Sequence, residues 1–154
     1  RALRLGRPEA VWATLHQLWS HQASPGLYTW DAPRPTQDEV ADGWQYARGW
    51  HNETAVSPDY ETAALLLLLQ QDMLAYLDEA AAEPTVVLGA GITPAWLSQP
   101  MAVSNLALPG GTVTWQWDGQ KMRVTLRGPV RKIQLGSAFP PGTELAVVQK
   151  PLRR

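Results

Sequence analysis

The longest apolar run of the chain extends from Ala63 to Leu69 and lies in a segment whose start is typical of a helix. Ser57 is a preferred N-cap residue, and Pro58 suits the first helical position, where a backbone N–H group is not needed. We therefore predict a helix over residues 57–80. Because it is apolar on every side, it must be buried on every side. The run of seven residues is too short for a membrane span, which needs roughly 20 residues.

A second, amphipathic helix is predicted over residues 8–21, where large apolar residues recur at helical spacing. Those residues are Val11, Leu15, Leu18 and Trp19. The connection between the two helices, residues 22–56, is long for a compact domain and is therefore expected to be functional or disordered. It is rich in aromatic residues, which disordered segments lack, so we predict an ordered loop.

From Pro84 onward the pattern changes to short extended segments separated by Gly and Pro. The predicted strands are residues 85–88, 102–108, 131–135 and 144–148, together with a hairpin over 112–127. Two helices followed by five or six antiparallel strands predict an α+β fold. We expect an N-terminal helical segment over residues 1–82 and a small antiparallel β-sheet or sandwich over residues 83–154.

The hairpin is the most specific local prediction, because Asp118-Gly119 is a strong signal for a two-residue turn. With that turn, Trp117 lies opposite Gln120 and Trp115 lies opposite Met122, so apolar residues share one face. This face is either part of the core or an outward strip that could bind sugars. The apolar partners of both Trp residues favour the core.

Composition and charge exclude several classes of protein. The hydrophobic content of 45% is sufficient for a core, and a net charge of −1 provides no basic surface for nucleic acid. The absence of cysteine excludes disulfides. The chain begins at Arg1 without a Met and without the apolar region of a signal peptide, so a processed product or a fragment is expected. Its compartment is not indicated.

The densest group of polar and aromatic residues lies at positions 43–53, just before the apolar helix. Its candidate saccharide-binding residues are Trp44, Tyr46, Trp50, His51 and Asn52. Indole rings can stack on sugar rings, and Glu53 is the candidate catalytic carboxylate among the acidic residues of this region. No spacing selects a pair of carboxylates, which a glycosidase needs. The alternative is that the Trp residues cover helix ends and that Glu53 is solvated.

Motifs for metals and cofactors are absent from the sequence. The three His residues have no ligand spacing, and no P-loop occurs. Gly89-Ala90-Gly91 after a strand lacks the third glycine of a dinucleotide-binding turn, and Pro94 follows it. We therefore predict an ordinary turn there, no metal and no cofactor.

The order of these features along the chain is similar to that in a known family of proteins. A helix ending in Leu74-Ala75-Tyr76 is followed by segments 87–97, 103–106 and 111–126. This order resembles the C-terminal part of large bacterial glycoside-hydrolase-like proteins with an (α/α)6 barrel and a C-terminal β-sandwich. The resemblance implies that the helical segment is the end of such a barrel.

The resemblance further implies a tail piece that lacks the full catalytic set, because a complete barrel has many more helices than two. Such a piece contributes scaffold and part of a saccharide-binding wall. The implied partners are a saccharide and the remainder of the parent chain, or another subunit, covering the helix at 63–77. Two alternatives remain: a non-catalytic carbohydrate-binding or accessory module, and a structural interaction domain whose Trp residues are buried.

Overall fold

The computed structural model describes residues 2–20, 22–24, 29–30 and 60–151. The chain divides into two compact units, one formed by Arg1–Thr14 with Leu68–Arg154 and the other by Leu15–Leu67. The predicted boundary at residue 82 stays a prediction.

Two α-helices are present among these residues, α1 at Pro8–Ser20 and α2 at Tyr60–Leu74. Short 3-10 turns occur at Leu3–Leu5 and Pro94–Trp96. The predicted helix at 8–21 is confirmed.

The strands of the described chain are β1 (Gln22–Ser24), β2 (Thr29–Trp30), β3 (Ala75–Asp78), β4 (Thr85–Leu88), β5 (Met101–Leu108), β6 (Gly111–Trp117), β7 (Lys121–Arg127), β8 (Lys132–Leu135) and β9 (Glu144–Lys150). The pair β1–β2 is antiparallel and lies in the second unit, within the segment that the sequence analysis interpreted as a loop. The other strands form a three-stranded sheet, β3-β4-β8, and a four-stranded sheet, β5-β6-β7-β9.

The C-terminal end of α2 differs from the prediction. The helix was expected to continue to residue 80, but it ends at Leu74 and the chain continues directly as β3. The cause is non-local: β3 pairs antiparallel with β4, which places Tyr76 opposite Val87. The start predicted at Ser57 and Pro58 lies outside the described residues.

The α+β class is confirmed, with sheets of mixed direction. Strands joined by hairpins are antiparallel, as expected, whereas β4–β8 and β7–β9 are parallel pairs. Each parallel pair joins strands that are separated by at least one other strand along the chain, as parallel connections require.

Among the described residues, one buried cluster joins the three-stranded and the four-stranded sheet, which together are called the sandwich here, and forms the core of the first unit. Its members include Val86, Leu88, Val113, Trp115, Trp117, Met122, Val124, Leu126 and Phe139. Trp117 packs edge-to-face against Phe139 at 5.3 Å between ring centroids, and its Nε1–H group donates to the carbonyl oxygen of Leu97 (2.9 Å). The face carrying Trp115 and Trp117 is therefore core, and not an outward strip for sugars.

The hairpin β6–β7 is present, but its predicted register is wrong by two residues. Trp117 lies opposite Met122, and Trp115 lies opposite Val124. The Asp118 carboxylate explains the longer turn, because it accepts hydrogen bonds from the backbone N–H groups of Gln120 (3.1 Å) and Lys121 (3.0 Å). These bonds hold the pKa of Asp118 below its usual range. A slip of two residues keeps every side chain on its predicted face.

Candidate functional site

The residues predicted to form a saccharide site all lie outside the described part of the chain. They are Trp44, Tyr46, Trp50, His51, Asn52 and the candidate catalytic residue Glu53. Their roles stay predictions. The described residues instead bring together two other groups of side chains, both within the first unit.

The turn Gly89-Ala90-Gly91 organises the first group by binding the end of α2. The Gly89 N–H group donates to the carbonyl oxygen of Leu74, and the Gly91 N–H group donates to that of Met73, each at 2.9 Å. These are two of the carbonyls that a helix leaves without an intrahelical partner at its C-terminus. The turn thus caps α2 and fixes the helix end to the sandwich, which agrees with its prediction as an ordinary turn.

Both glycines are required at this close approach. Gly89 has a φ of 63°, in the left-handed region, and a Cβ atom there would lie 2.8 Å from the ring of Phe139. At Gly91, a Cβ atom would collide with the side chain of Met73.

Trp12 connects α1 to the same turn. Its Nε1–H group donates to the carbonyl oxygen of Gly91 (2.8 Å), and its ring lies 5.3 Å from that of Trp96 at an interplanar angle of 44°. Trp96 is 43% exposed. The pair lines a shallow cleft of about 140 Å³ that also receives Gln70. Two indole faces beside one amide can stack on an apolar ring face and bind a hydroxyl group.

The second group lines a polar cleft of about 280 Å³ between the N-terminal turn, α1 and the end of α2. Its residues are Ala2, Leu3, Arg4, Ala10, Val11, Thr14, Leu69, Asp72 and Tyr76. Arg4 donates to the carboxylate of Asp78 (3.2 Å), and its guanidinium lies 5.6 Å from the centre of the Tyr76 ring. That distance is within the range of a cation–π interaction.

Partial burial perturbs two titratable groups of this polar cleft, Asp72 and Tyr76. Burial raises the pKa of Asp72, and the positive charge of Arg4 offsets only part of this effect. Burial also raises the pKa of Tyr76, and the Asp78 carboxylate raises it further. Perturbed pairs in a cleft are typical of functional sites, but structural ion pairs produce the same shifts.

Replacing Asp72 with Asn is expected to stabilise the protein slightly at pH 7. The pKa of Asp72 is higher in the folded than in the unfolded chain, so the free energy of unfolding falls as the pH rises through the folded pKa and the carboxyl group ionises. The Asn side chain cannot ionise and avoids this loss. The gain should be below about 1 kcal/mol, since Asp72 is an exposed residue. Urea denaturation at pH 7 and near pH 4 measures it, and the difference between D72N and the original chain should shrink at the lower pH. A loss of stability at pH 7 would show that the ionised carboxylate has a favourable partner.

Sequence reasoning did not identify the polar cleft. Leu69 and Asp72 are three positions apart on α2, a spacing that places them on one helix face. That signal was available, but the contribution of Arg4 and Tyr76 depends on tertiary contacts. The resemblance had assigned Tyr76 only to a helix end.

In the part of the chain that the structure describes, no three His, Cys, Asp or Glu side chains are grouped so that they could hold a metal ion. None of the helices described is long and apolar enough to cross a membrane.

No protein-family model matches the chain, and neither the curated proteins nor the solved structures include a match to it.

Proposed function

We propose that the chain is the C-terminal part of a carbohydrate-active glycoside hydrolase, to which it contributes scaffold and part of a saccharide-binding wall. The observation that carries this proposal is the exposed apolar side of α2. Leu65, Leu67 and Leu68 are between 58% and 68% exposed, whereas Leu66 and Met73 on the other side of the helix are buried. Contiguous exposed apolar surface is typical of a contact surface.

The capping of α2 supports a scaffold role for the sandwich. The turn at Gly89 and Gly91 holds the last carbonyls of the helix, and Gln71 donates to the carbonyl oxygen of Ala107 on β5 (2.9 Å). The helix end is thus tied to the sandwich at several points. A sandwich that holds the end of a helix with an uncovered apolar side is the arrangement expected where a helical body meets its C-terminal domain.

The saccharide-binding wall is proposed from the sequence of residues 43–53. The enzyme class is proposed from the resemblance of the chain to glycoside-hydrolase-like proteins. A second candidate function, a non-catalytic carbohydrate-binding module, is favoured by Trp12 and Trp96. Their paired rings beside Gln70 form an aromatic surface with one polar group, the kind of surface that binds a sugar ring.

The exposed leucines provide a test with a matched control. We expect Leu67→Glu to change the free energy of unfolding of the 154-residue chain by less than about 0.5 kcal/mol, because the side chain is exposed. Leu66→Glu, one position away, should cost at least about 3 kcal/mol, since it buries an unpaired charge. L67E should also reduce binding of a hydrophobic dye. If L67E were as costly as L66E, the chain would cover its own helix and the proposed neighbour would not be needed.

Saccharide binding separates the two candidate functions. Calorimetric titration with a panel of oligosaccharides should detect binding that Trp50→Ala abolishes and Trp96→Ala leaves unchanged. The opposite result would favour the binding module at Trp12 and Trp96. In the full parent chain, Glu53→Gln should abolish turnover while saccharide binding is retained. If no oligosaccharide of the panel binds, both candidate functions are overturned.

A further inference from the structure

The C-terminal strand β9 lies at the edge of the four-stranded sheet. It pairs in parallel with β7 along its whole length, from Lys121 opposite Glu144 to Arg127 opposite Lys150. In the part of the chain that the structure describes, no strand pairs with its other edge. Backbone N–H and C=O groups along such an edge are available to another strand.

The apolar side chains of β9 are exposed on both faces of the sheet. Leu145, Val147 and Val148 are 37–51% exposed. Leu145 and Val147 lie opposite Met122 and Val124 of β7, both of which are buried in the core. On the core side of the sheet, the apolar residues of β9 are therefore less covered than their neighbours on β7. Edge strands of this kind favour addition of a further strand.

The sequence of β9 identifies the strand that fits. Glu144-Leu-Ala-Val-Val-Gln-Lys150 has a negative charge at its start, a positive charge at its end and Val147 at its centre. When two copies align antiparallel about Val147, Glu144 of each copy lies opposite Lys150 of the other. Both residues are on the same face of the sheet, because they are six positions apart.

Charge within the sheet favours the same arrangement. Lys150 lies beside Arg127 of β7, and like charges directly opposite one another are unfavourable. A carboxylate on the free side of Lys150 would offset this repulsion. In the antiparallel pair, Glu144 of each copy provides this carboxylate for Lys150 of the other.

We propose that the chain forms a two-fold symmetric dimer by antiparallel pairing of β9 with β9 of a second copy. The four-stranded sheet then continues through both copies. A two-fold contact of this kind uses the same surface on each partner and closes on itself, so it stops at two chains. The dimer does not depend on the proposed function.

Charge reversal tests the pairing and its register. Sedimentation equilibrium of the 154-residue chain over a range of concentrations should show a monomer–dimer equilibrium. Lys150→Glu opposes two carboxylates at each end of the strand pair, and Glu144→Lys opposes two ammonium groups. Each should weaken the dimer about tenfold or more, because two favourable pairs become two repulsive ones. The double variant E144K/K150E should restore the original affinity.

Control variants separate this contact from other causes of association. Lys132→Glu makes the same charge change on β8 and should leave the dimer unchanged. Urea denaturation of each variant checks that it is folded. A chain that is monomeric at every concentration, equal effects of K150E and K132E, or a double variant that fails to restore the dimer would overturn the proposal. Dissociation by L67E, with the β9 variants neutral, would assign the association to α2 and overturn it as well.

Discussion

Replacing Trp115 with Ala is expected to lower the free energy of unfolding by about 3–5 kcal/mol. Trp115 is 1% exposed and belongs to the cluster that joins both sheets. Its Nε1–H group also donates to the carbonyl oxygen of Leu74 at the end of α2 (3.2 Å). The substitution therefore removes a large buried ring and a bond between the sandwich and the helix. Urea denaturation followed by far-ultraviolet circular dichroism measures the loss.

Two further variants identify the source of this loss. Trp115→Phe keeps most of the buried ring and removes the N–H donor, so it should cost only about 1–2 kcal/mol. Trp96→Ala removes the same side chain from an exposed position and should cost less than about 1 kcal/mol. If W96A were as destabilising as W115A, the sandwich core would not be the main source of stability.

Replacing Gly91 with Ala is expected to cost about 3 kcal/mol, although only one methyl group is added. The new Cβ atom would collide with the side chain of Met73, whose carbonyl oxygen accepts the Gly91 N–H bond. Relief of this collision requires movement of the turn away from the helix. That movement would also displace the Gly91 carbonyl from the Trp12 indole, which binds it. Urea denaturation again gives the loss.

Gly119→Ala is the matched control for this substitution. Gly119 has a φ of 99°, and beyond its chain neighbours no atom lies within 4 Å of the place that an added methyl group would occupy. The substitution therefore adds only backbone strain, which costs about 1 kcal/mol. A loss at Gly91 no larger than that at Gly119 would contradict the close approach of the turn to α2.

The features that the sequence predicted well are encoded within a few neighbouring residues. The helix of residues 8–21 follows from the spacing of Val11 and Leu15, which are both buried. The hairpin follows from Asp118-Gly119 and the alternation on each side of it. Its register was wrong because the turn signal does not reveal that the Asp118 side chain binds the backbone and lengthens the turn.

The features that the sequence did not predict depend on partners far away in the chain. The end of α2 at Leu74 results from pairing of β3 with β4 and from capping by Gly91. The parallel pairs have no local signal, since the side-chain pattern within β8 or β9 does not depend on the direction in which the partner strand runs.

For the candidate site, the sequence suggested residues by chemical type alone. The group at 43–53 lies outside the described residues. The spacing of Leu69 and Asp72 places both on one face of α2, but nothing local in the sequence indicates that Tyr76 and Arg4 line the same cleft. The cleft forms only because Arg4, from the start of the chain, lies beside Tyr76, and burial there raises the pKa values of Asp72 and Tyr76.

The order of the strands has a consequence for how the sandwich assembles. After β4, the chain builds β5, β6 and β7 of the other sheet before it returns with β8, and it then crosses back again to add β9. Each sheet is thus completed by a strand that comes late in the chain, β8 beside β4 and β9 beside β7. In both pairs, the two strands do not follow one another along the chain. The two sheets are interlocked in sequence, so neither half can be excised or fold to completion alone. The sandwich should unfold as one cooperative body.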